Sequence, residues 1–260
     1  MNDFTKLNEI PYKWGIHKGS VLLITSDITE LGEFCISHKE PLDFNSLIDS
    51  IIDVVGPSGT VLFPTYNWGF CRGETFDYNK TLGQTGSLGR LALRRKDFKR
   101  TKHPIYSFAV WGKDQDYLCG LQNESSFGKN SPFGYLNENH AINVIINVPT
   151  RYTFVHYVEQ KYENELEVTY RFHKSFQSLY KDENGKVDMR SYSMFVRYRD
   201  ADEGPSREEE FVQLLKKHQA ISFLDINGFD YKIIDMAASV PAVIEFIKAN
   251  PLYGKHFFVK

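Results

Sequence analysis

Short apolar runs rich in valine and isoleucine alternate along the chain with segments whose apolar residues recur at helical spacing, the pattern of a sheet covered by helices. Val21-Leu-Leu-Ile-Thr25 reads as the first strand, followed by a polar turn. Phe44, Leu47, Ile48, Ile51, Ile52 and Val55 then mark one face of a helix, with Asp43 placed to cap its start and Gly56 to end it. Pro57-Ser-Gly59 turns the chain into Thr60-Val-Leu-Phe63, a buried strand stopped by Pro64. The alternation continues with a helix from about Ser87 to Lys96, a strand near Tyr106 to Trp111, a helix around Asp114 to Leu121 and a strand from Ile142 to Val148. Thr153 to Lys161 reads as a helix that Thr153 can cap.

Beyond it the character changes. Glu167 to Phe176 and Met189 to Tyr198, rich in Tyr, Phe, Val and Arg, read as strands with the Asp-Glu-Asn-Gly turn at 182 to 185 between them. Ser206-Arg-Glu-Glu209 is a capping box for a helix to about His218. Ile221 to Ile226 pairs across Asn227-Gly228 with Phe229 to Ile234, and a last helix follows Asp235. With no repeat and no clean linker, the expected architecture is one α/β domain over 1 to 260. It is a three-layer α/β/α fold with a mixed, largely parallel central sheet and a β-rich insertion at about 165 to 205.

Composition narrows the partners. The 31 Lys and Arg against 33 Asp and Glu leave a net charge of −2, so no whole-chain field draws the protein to nucleic acid or anionic lipid. The uncharged run from Val54 to Cys71 is broken by Pro57 and Pro64, and no membrane span is expected. The opening MNDFTKLNEIPYKWG carries Asp3 and Glu9 and does not read as a secretory signal, which points to the cytoplasm. Cys35, Cys71 and Cys119 form no close pair and read as reduced, small apolar residues.

Chemistry concentrates in Thr153-Phe-Val-His156-Tyr-Val-Glu159. At this spacing successive members sit about 60° apart around a helix, so all three can face one cleft. A histidine with an ordinary pKa of about 6.5 is largely neutral near pH 7, as a base must be. Glu159 can orient its ring, and the Thr153 hydroxyl can donate to an oxygen that gains negative charge. The plain alternative is a solvated helix face. A second group comprises Pro64-Thr-Tyr-Asn-Trp68, Thr85-Gly-Ser-Leu-Gly89 and Ser131-Pro-Phe-Gly134, loops expected at the carboxyl ends of strands. Gly86, Ser87 and Gly89 precede a helix and can present N–H groups to an anion, although the segment is neither a P-loop nor a GxGxxG fingerprint. A third is Arg90, Arg94, Arg95, Lys96, Lys99, Arg100 and Lys102, either a phosphate-facing stripe or a solvated helix face. His103 can line the same cleft or hold its loop, the latter being favoured, while the remaining histidines lack metal-ligand spacing and no metal is expected.

Taken in order, these segments resemble the aminoglycoside 3-N-acetyltransferase family, also called the antibiotic N-acetyltransferases. The resemblance is carried by Ile24-Thr-Ser-Asp-Ile-Thr-Glu-Leu-Gly32, Gly59-Thr-Val-Leu-Phe-Pro-Thr65, Gly86-Ser-Leu-Gly89 with Ala92-Leu-Arg-Arg95, and His103-Pro-Ile-Tyr-Ser-Phe-Ala109 with Trp111-Gly112. Ser131-Pro-Phe-Gly134 and the Thr153 to Glu159 helix complete it. It implies transfer of an acetyl group from acetyl-coenzyme A to an amino group of an amino sugar, with His156 as base, Glu159 as its partner and Thr153 as stabiliser of the tetrahedral intermediate. It further implies coenzyme contacts from Ser26, Leu31, Gly32, Thr85, Gly86, Ser87, Ser107 and Phe108, and acceptor contacts from Tyr66, Asn67, Trp68 and Tyr152. Where the family usually has Gly-Val-Gly after the strand and Asn before the Thr, this chain has Asn147-Val-Pro149 and Tyr152, which implies a changed acceptor pocket. The 38 aromatic residues (3 Trp, 15 Tyr, 20 Phe) suit sugar rings or a nucleotide base, so the acceptor is either an aminoglycoside or a nucleotide-linked amino sugar. The competing class is a non-catalytic sugar- or coenzyme A-binding protein of the same fold. A monomer and a homodimer fit equally.

Overall fold

The structure is a computed structural model that describes residues 4–150, 153–198 and 207–249. In chain order it contains β1 (Val21–Ser26), α1 (Thr29–Ser37), α2 (Phe44–Val55), β2 (Thr60–Pro64), β3 (Phe76–Asp77), α3 (Ser87–Ala92), β4 (Lys99–Arg100), β5 (Phe108–Gly112) and α4 (Gln115–Gly120). There follow α5 (Pro132–Glu138), β6 (Ile142–Ile146), α6 (Phe154–Lys161), β7 (Arg171–Lys181), β8 (Val187–Arg197), α7 (Glu208–Lys217), β9 (Ile221–Ile226), β10 (Phe229–Asp235) and α8 (Met236–Ala249).

Seven strands form the central sheet in the order β4-β5-β2-β1-β6-β10-β9. Its three middle strands run parallel, and the strands flanking them on each side pair antiparallel, so the sheet is mixed with a parallel centre. Alternating residues of these strands supply two separate cores. Leu23, Leu62, Val110 and Ile145 pack under α5, α6, α7 and α8, whereas Leu22, Ile24, Val61, Phe63, Val144 and Ile146 pack under α1, α2 and α3. Three α/β/α layers result. Helix α2 forms as its spacing dictates: Asp43 accepts from the amides of Asn45 and Ser46, and Gly56 ends the helix at φ 64°. Asn227 and Gly228, at φ 59° and 83°, make the two-residue turn of the last hairpin.

Several local expectations are corrected. The polar turn after β1 is instead helix α1, whose buried Leu31 and Cys35, with Ile28 at the N-cap, follow a helical period. Gly32, which packs beside Leu42 and Phe44, weakens that signal. The Ser131 segment opens α5, with Ser131 Oγ accepting from the Gly134 amide and Pro132 in the first turn. Helix α3 stops at Ala92 rather than Lys96, because the chain turns there to bury Phe98. Helix α7 starts at Glu208 with no side-chain cap from Arg207, and Ser206 lies outside the described residues.

Strands β7 and β8 pair antiparallel over their full length and β3 adds to β7, making a second, three-stranded sheet. Its Tyr180, Tyr192 and Phe195 are buried in the same core as α6 and α8. The Ser193 backbone bonds to Glu124 and Ser126, which seats the hairpin against the loop before α5.

Candidate active site

Because β1, β2 and β6 are parallel, Ser26, Pro64 and Ile146 all lie at one edge of the sheet, and antiparallel β5 starts at the same edge with Phe108. The chain leaving β6 there leads into α6. Phe154, Tyr157 and Val158 anchor that helix in the core, which fixes where His156 and Glu159 stand. His156 keeps 29% of its side chain exposed, whereas Glu159 keeps 2%.

His156 Nδ1 lies 2.7 Å from Glu159 Oε2. The same carboxylate accepts from the Tyr170 hydroxyl at 2.6 Å and forms an ion pair with Arg171 Nε at 2.8 Å. Burial works against ionisation of Glu159, but the Arg171 charge, then His156, and the Tyr170 hydroxyl outweigh it and hold the carboxyl below its ordinary range. An ionised carboxylate only accepts, so Nδ1 carries the proton and Nε2 presents the lone pair of a base. Phe127 stands edge-on to the imidazole, with ring centres 5.6 Å apart.

Thr153 does not cap α6: its backbone is already helical and its hydroxyl makes no capping bond. The buried Tyr66 phenol lies close to that hydroxyl, and burial pushes its ionisation well up. The candidate stabiliser Thr153 and the acceptor-side candidate Tyr66 thus stand close together, one turn before the base. Trp68 packs edge-on to Tyr106, and Asn67 fixes its own loop by accepting from the Gly69 amide and donating to the Leu82 carbonyl. Tyr152 lies outside the described residues.

Among the coenzyme candidates, Ser26 ends β1, while Leu31 and Gly32 are buried in α1. Gly89 is pressed onto β2, for a Cβ there would sit 2.2 Å from the Pro64 carbonyl oxygen, and this contact brings the start of α3 to the same edge. Gly86 adopts φ 70°, and the buried Thr85 hydroxyl has no partner among the described residues. Ser87 Oγ accepts from Arg90. Ser107 is enclosed, bonded to Thr65 and to Arg100, and Phe108 belongs to the core. The basic residues do not form one stripe. Arg95 pairs with Asp49 and Asp97, Lys99 with Asp116 and Lys102 with Glu183, while Arg100 is buried against the Thr65 and Thr81 carbonyls and the Phe76 ring. A cleft of about 310 Å³ beside β4 still gathers Lys80, Arg90, Arg94, Lys99 and Arg100 on its walls.

His103 holds its loop. Its Nδ1 accepts from the amides of Ile105 and Tyr106, and burial pushes its pKa down to about 3. The unfolded chain binds a proton at this residue below about pH 6.5, while the folded chain does not until about pH 3. Stability is therefore lost as pH falls through that window, at up to about 1.4 kcal/mol per pH unit from this residue. His103→Asn, which keeps an acceptor for the two amides, is expected to flatten the slope of unfolding free energy between pH 4 and 6 by about one proton. Denaturant titrations of both proteins across that range check it, and equal slopes contradict it.

Burial pushes the Cys71 and Cys119 thiols up to about 11 and about 12, so neither supplies a ready thiolate. Among the described residues no group of three His, Cys, Asp or Glu side chains is placed to hold a metal, and no helix is long and apolar enough to cross a membrane. Tyr170 and Arg171 complete the Glu159 environment yet carry no local signal in the chain, because only the tertiary docking of β7 brings them to α6.

An imidazole oriented by a buried carboxylate, at the carboxyl edge of an α/β/α sheet, has the parts that general-base group transfer needs. The chain belongs to the aminoglycoside 3-N-acetyltransferase family, whose sequence profile matches residues 23–248. It is 25% identical over 153 residues to the SPbeta prophage-derived aminoglycoside N(3')-acetyltransferase-like protein YokD of Bacillus subtilis (strain 168), an alignment covering 49% of this chain and 54% of that protein. The matched region thus spans about half the length of that curated relative. Among solved structures it shares its fold with AAC-IIIb in binary complex with CoASH, at TM-score 0.78 and 15% identity over 95% of this chain and 97% of that one. It also shares it with sisomicin-bound AAC-VIa, at TM-score 0.73 and 18% identity over 95% and 98%.

Proposed function

We infer that the protein transfers the acetyl group of acetyl-coenzyme A to an amino group of an amino sugar by direct attack. The observation that carries this reading is the 2.7 Å contact from His156 Nδ1 to Glu159, which leaves Nε2 as a base on the more exposed side of the dyad. An acceptor amine arrives mostly as ammonium. It gives a proton to Nε2, and its lone pair then attacks the thioester carbonyl. The carbon–sulfur bond breaks as the tetrahedral intermediate collapses, the departing thiolate takes the proton that His156 holds, and the nitrogen's second surplus proton passes to solvent, so transfer from an ammonium releases one proton overall. The Thr153 and Tyr66 hydroxyls supply donors for the intermediate's oxygen. The unpartnered Thr85 hydroxyl, Gly86 and Ser87, with Ser26, are suited to the pantetheine arm, and the basic cleft beside β4 to its phosphates. The chain acts as one acetyltransferase unit with an insertion at about 165 to 205, of which Tyr170 and Arg171 reach the dyad.

The test is thiol release from acetyl-coenzyme A across aminoglycosides and nucleotide-linked amino sugars, with the acetylated product identified by mass. Release with at least one acceptor, and a matching gain of one acetyl group, is expected. Coenzyme binding with no release from any acceptor overturns the reading in favour of a non-catalytic binder.

A further inference from the structure

We propose that Arg171 selects the acceptor, its guanidinium holding a carboxylate or phosphate group of the amino sugar beside the amine that His156 deprotonates. This rests on acetyl transfer at the His156 site and adds the charge class of the substrate. Arg171 opens β7 and is held on two sides: Nε is paired with Glu159 at 2.8 Å, and Nη1 donates to the Phe195 carbonyl at 3.0 Å. Its remaining corner, Nη2, stands 3.5 Å from His156 Nε2, the nitrogen that must receive the proton. Any amine reaching Nε2 therefore arrives next to a fixed positive charge.

Two consequences follow from Coulomb's law. The Glu159–Arg171 pair is neutral as a whole, but its carboxylate bonds Nδ1 while its guanidinium stands beside Nε2, so a polycation meets the positive end of the pair at the point where it has to dock. A single amine is helped, since a nearby cation favours its neutral, nucleophilic form. An oxyanion on the same sugar offsets the charge and takes up the guanidinium's spare donors in its planar fork.

The adjoining part of the hairpin has the same character. A cleft of about 360 Å³ is lined by Phe172, Lys174, Phe176, Val196, Arg197 and Tyr198. Among the described residues it contributes two cations and three aromatic rings, and Arg197 is the register partner of Arg171. Aromatic faces with flanking cations suit a sugar ring or base that carries phosphate.

The experiment compares kcat/KM for five acceptors: an amino sugar with no other charge, its phosphate ester, its uronate, its nucleotide conjugate and the polycation kanamycin. At least one anionic acceptor is expected to exceed the uncharged parent by about tenfold or more, with kanamycin lowest. The phosphate and uronate arms show which oxyanion is preferred. Arg171→Gln should bring the anionic-to-uncharged ratio close to one, and Arg171→Lys, which keeps the charge, should retain much of it. A ratio taken within one preparation is independent of the folded fraction, so partial misfolding of a variant does not blur the outcome. Turnover without anionic preference, or a ratio unchanged in Arg171→Gln, overturns this proposal alone. Silence with all five acceptors overturns the acetyl-transfer reading beneath it, and the proposal with it.

Discussion

Replacing His156 by alanine is expected to lower acetyl transfer by about 10²- to 10⁴-fold while leaving coenzyme A binding in place. The ring provides the lone pair that accepts the amine's proton, and among the described residues of the site no other group is ready to take over. Glu159 is buried and held ionised by its three partners, and the thiols are protonated. The loss is one of rate rather than of folding. After truncation Glu159 still accepts from Tyr170 and pairs with Arg171, so no buried charge is stranded. Steady-state thiol release and calorimetric titration with coenzyme A measure the two quantities separately. Added imidazole should restore part of the turnover by entering the vacated space. Turnover within about threefold of the unmodified protein would remove His156 from the chemistry.

What the chain discloses about this site depends on distance along it. Thr153, His156 and Glu159 follow one another at three-residue steps over less than two helix turns, so their common orientation follows from α-helical geometry alone. The Asp43 cap, the α2 face and the Asn227-Gly228 turn are equally local, and each forms where its residues indicate. Helix α1 is hidden because Gly32 has low helix propensity in isolation, and its place beside Leu42 and Phe44 is set only by packing. Thr153 illustrates the opposite failure: its type suits a cap, but its backbone is already helical and its hydroxyl makes no capping bond, lying instead close to the Tyr66 phenol from 87 positions earlier. Charge runs mislead for a related reason. Seven basic residues within thirteen positions look like one surface, yet the turn after Ala92 and strand β4 send them to different partners, and Arg100 goes into the interior. Tyr170 and Arg171 are visible only once the hairpin is docked, since nothing at their own positions refers to Glu159.

Glu159→Gln carries the other large effect, on rate and stability together. The substitution removes the negative charge that Arg171 faces while leaving the guanidinium in a mostly buried position, with the Phe195 carbonyl as a neutral partner. Stranding one member of a buried ion pair costs about 3–5 kcal/mol, which in a chain of this length lowers the melting temperature by about 6–20 °C. The sign of the pH dependence is fixed by the depressed pKa of the carboxyl. Its contribution is complete above about pH 4.3, the unfolded value, and is lost as pH falls toward the folded one, so the gap between the two proteins should close in acid. On the rate side, a glutamine amide can donate to Nδ1 as readily as its oxygen can accept from it. The first arrangement places the imidazole proton on Nε2 and abolishes the base, and a fall in kcat of about 10²- to 10⁴-fold is expected. Because Glu159 acts through His156, the double variant should be little slower than His156→Ala alone. Rates that multiply in the double variant would show that Glu159 serves the reaction by some route other than the imidazole.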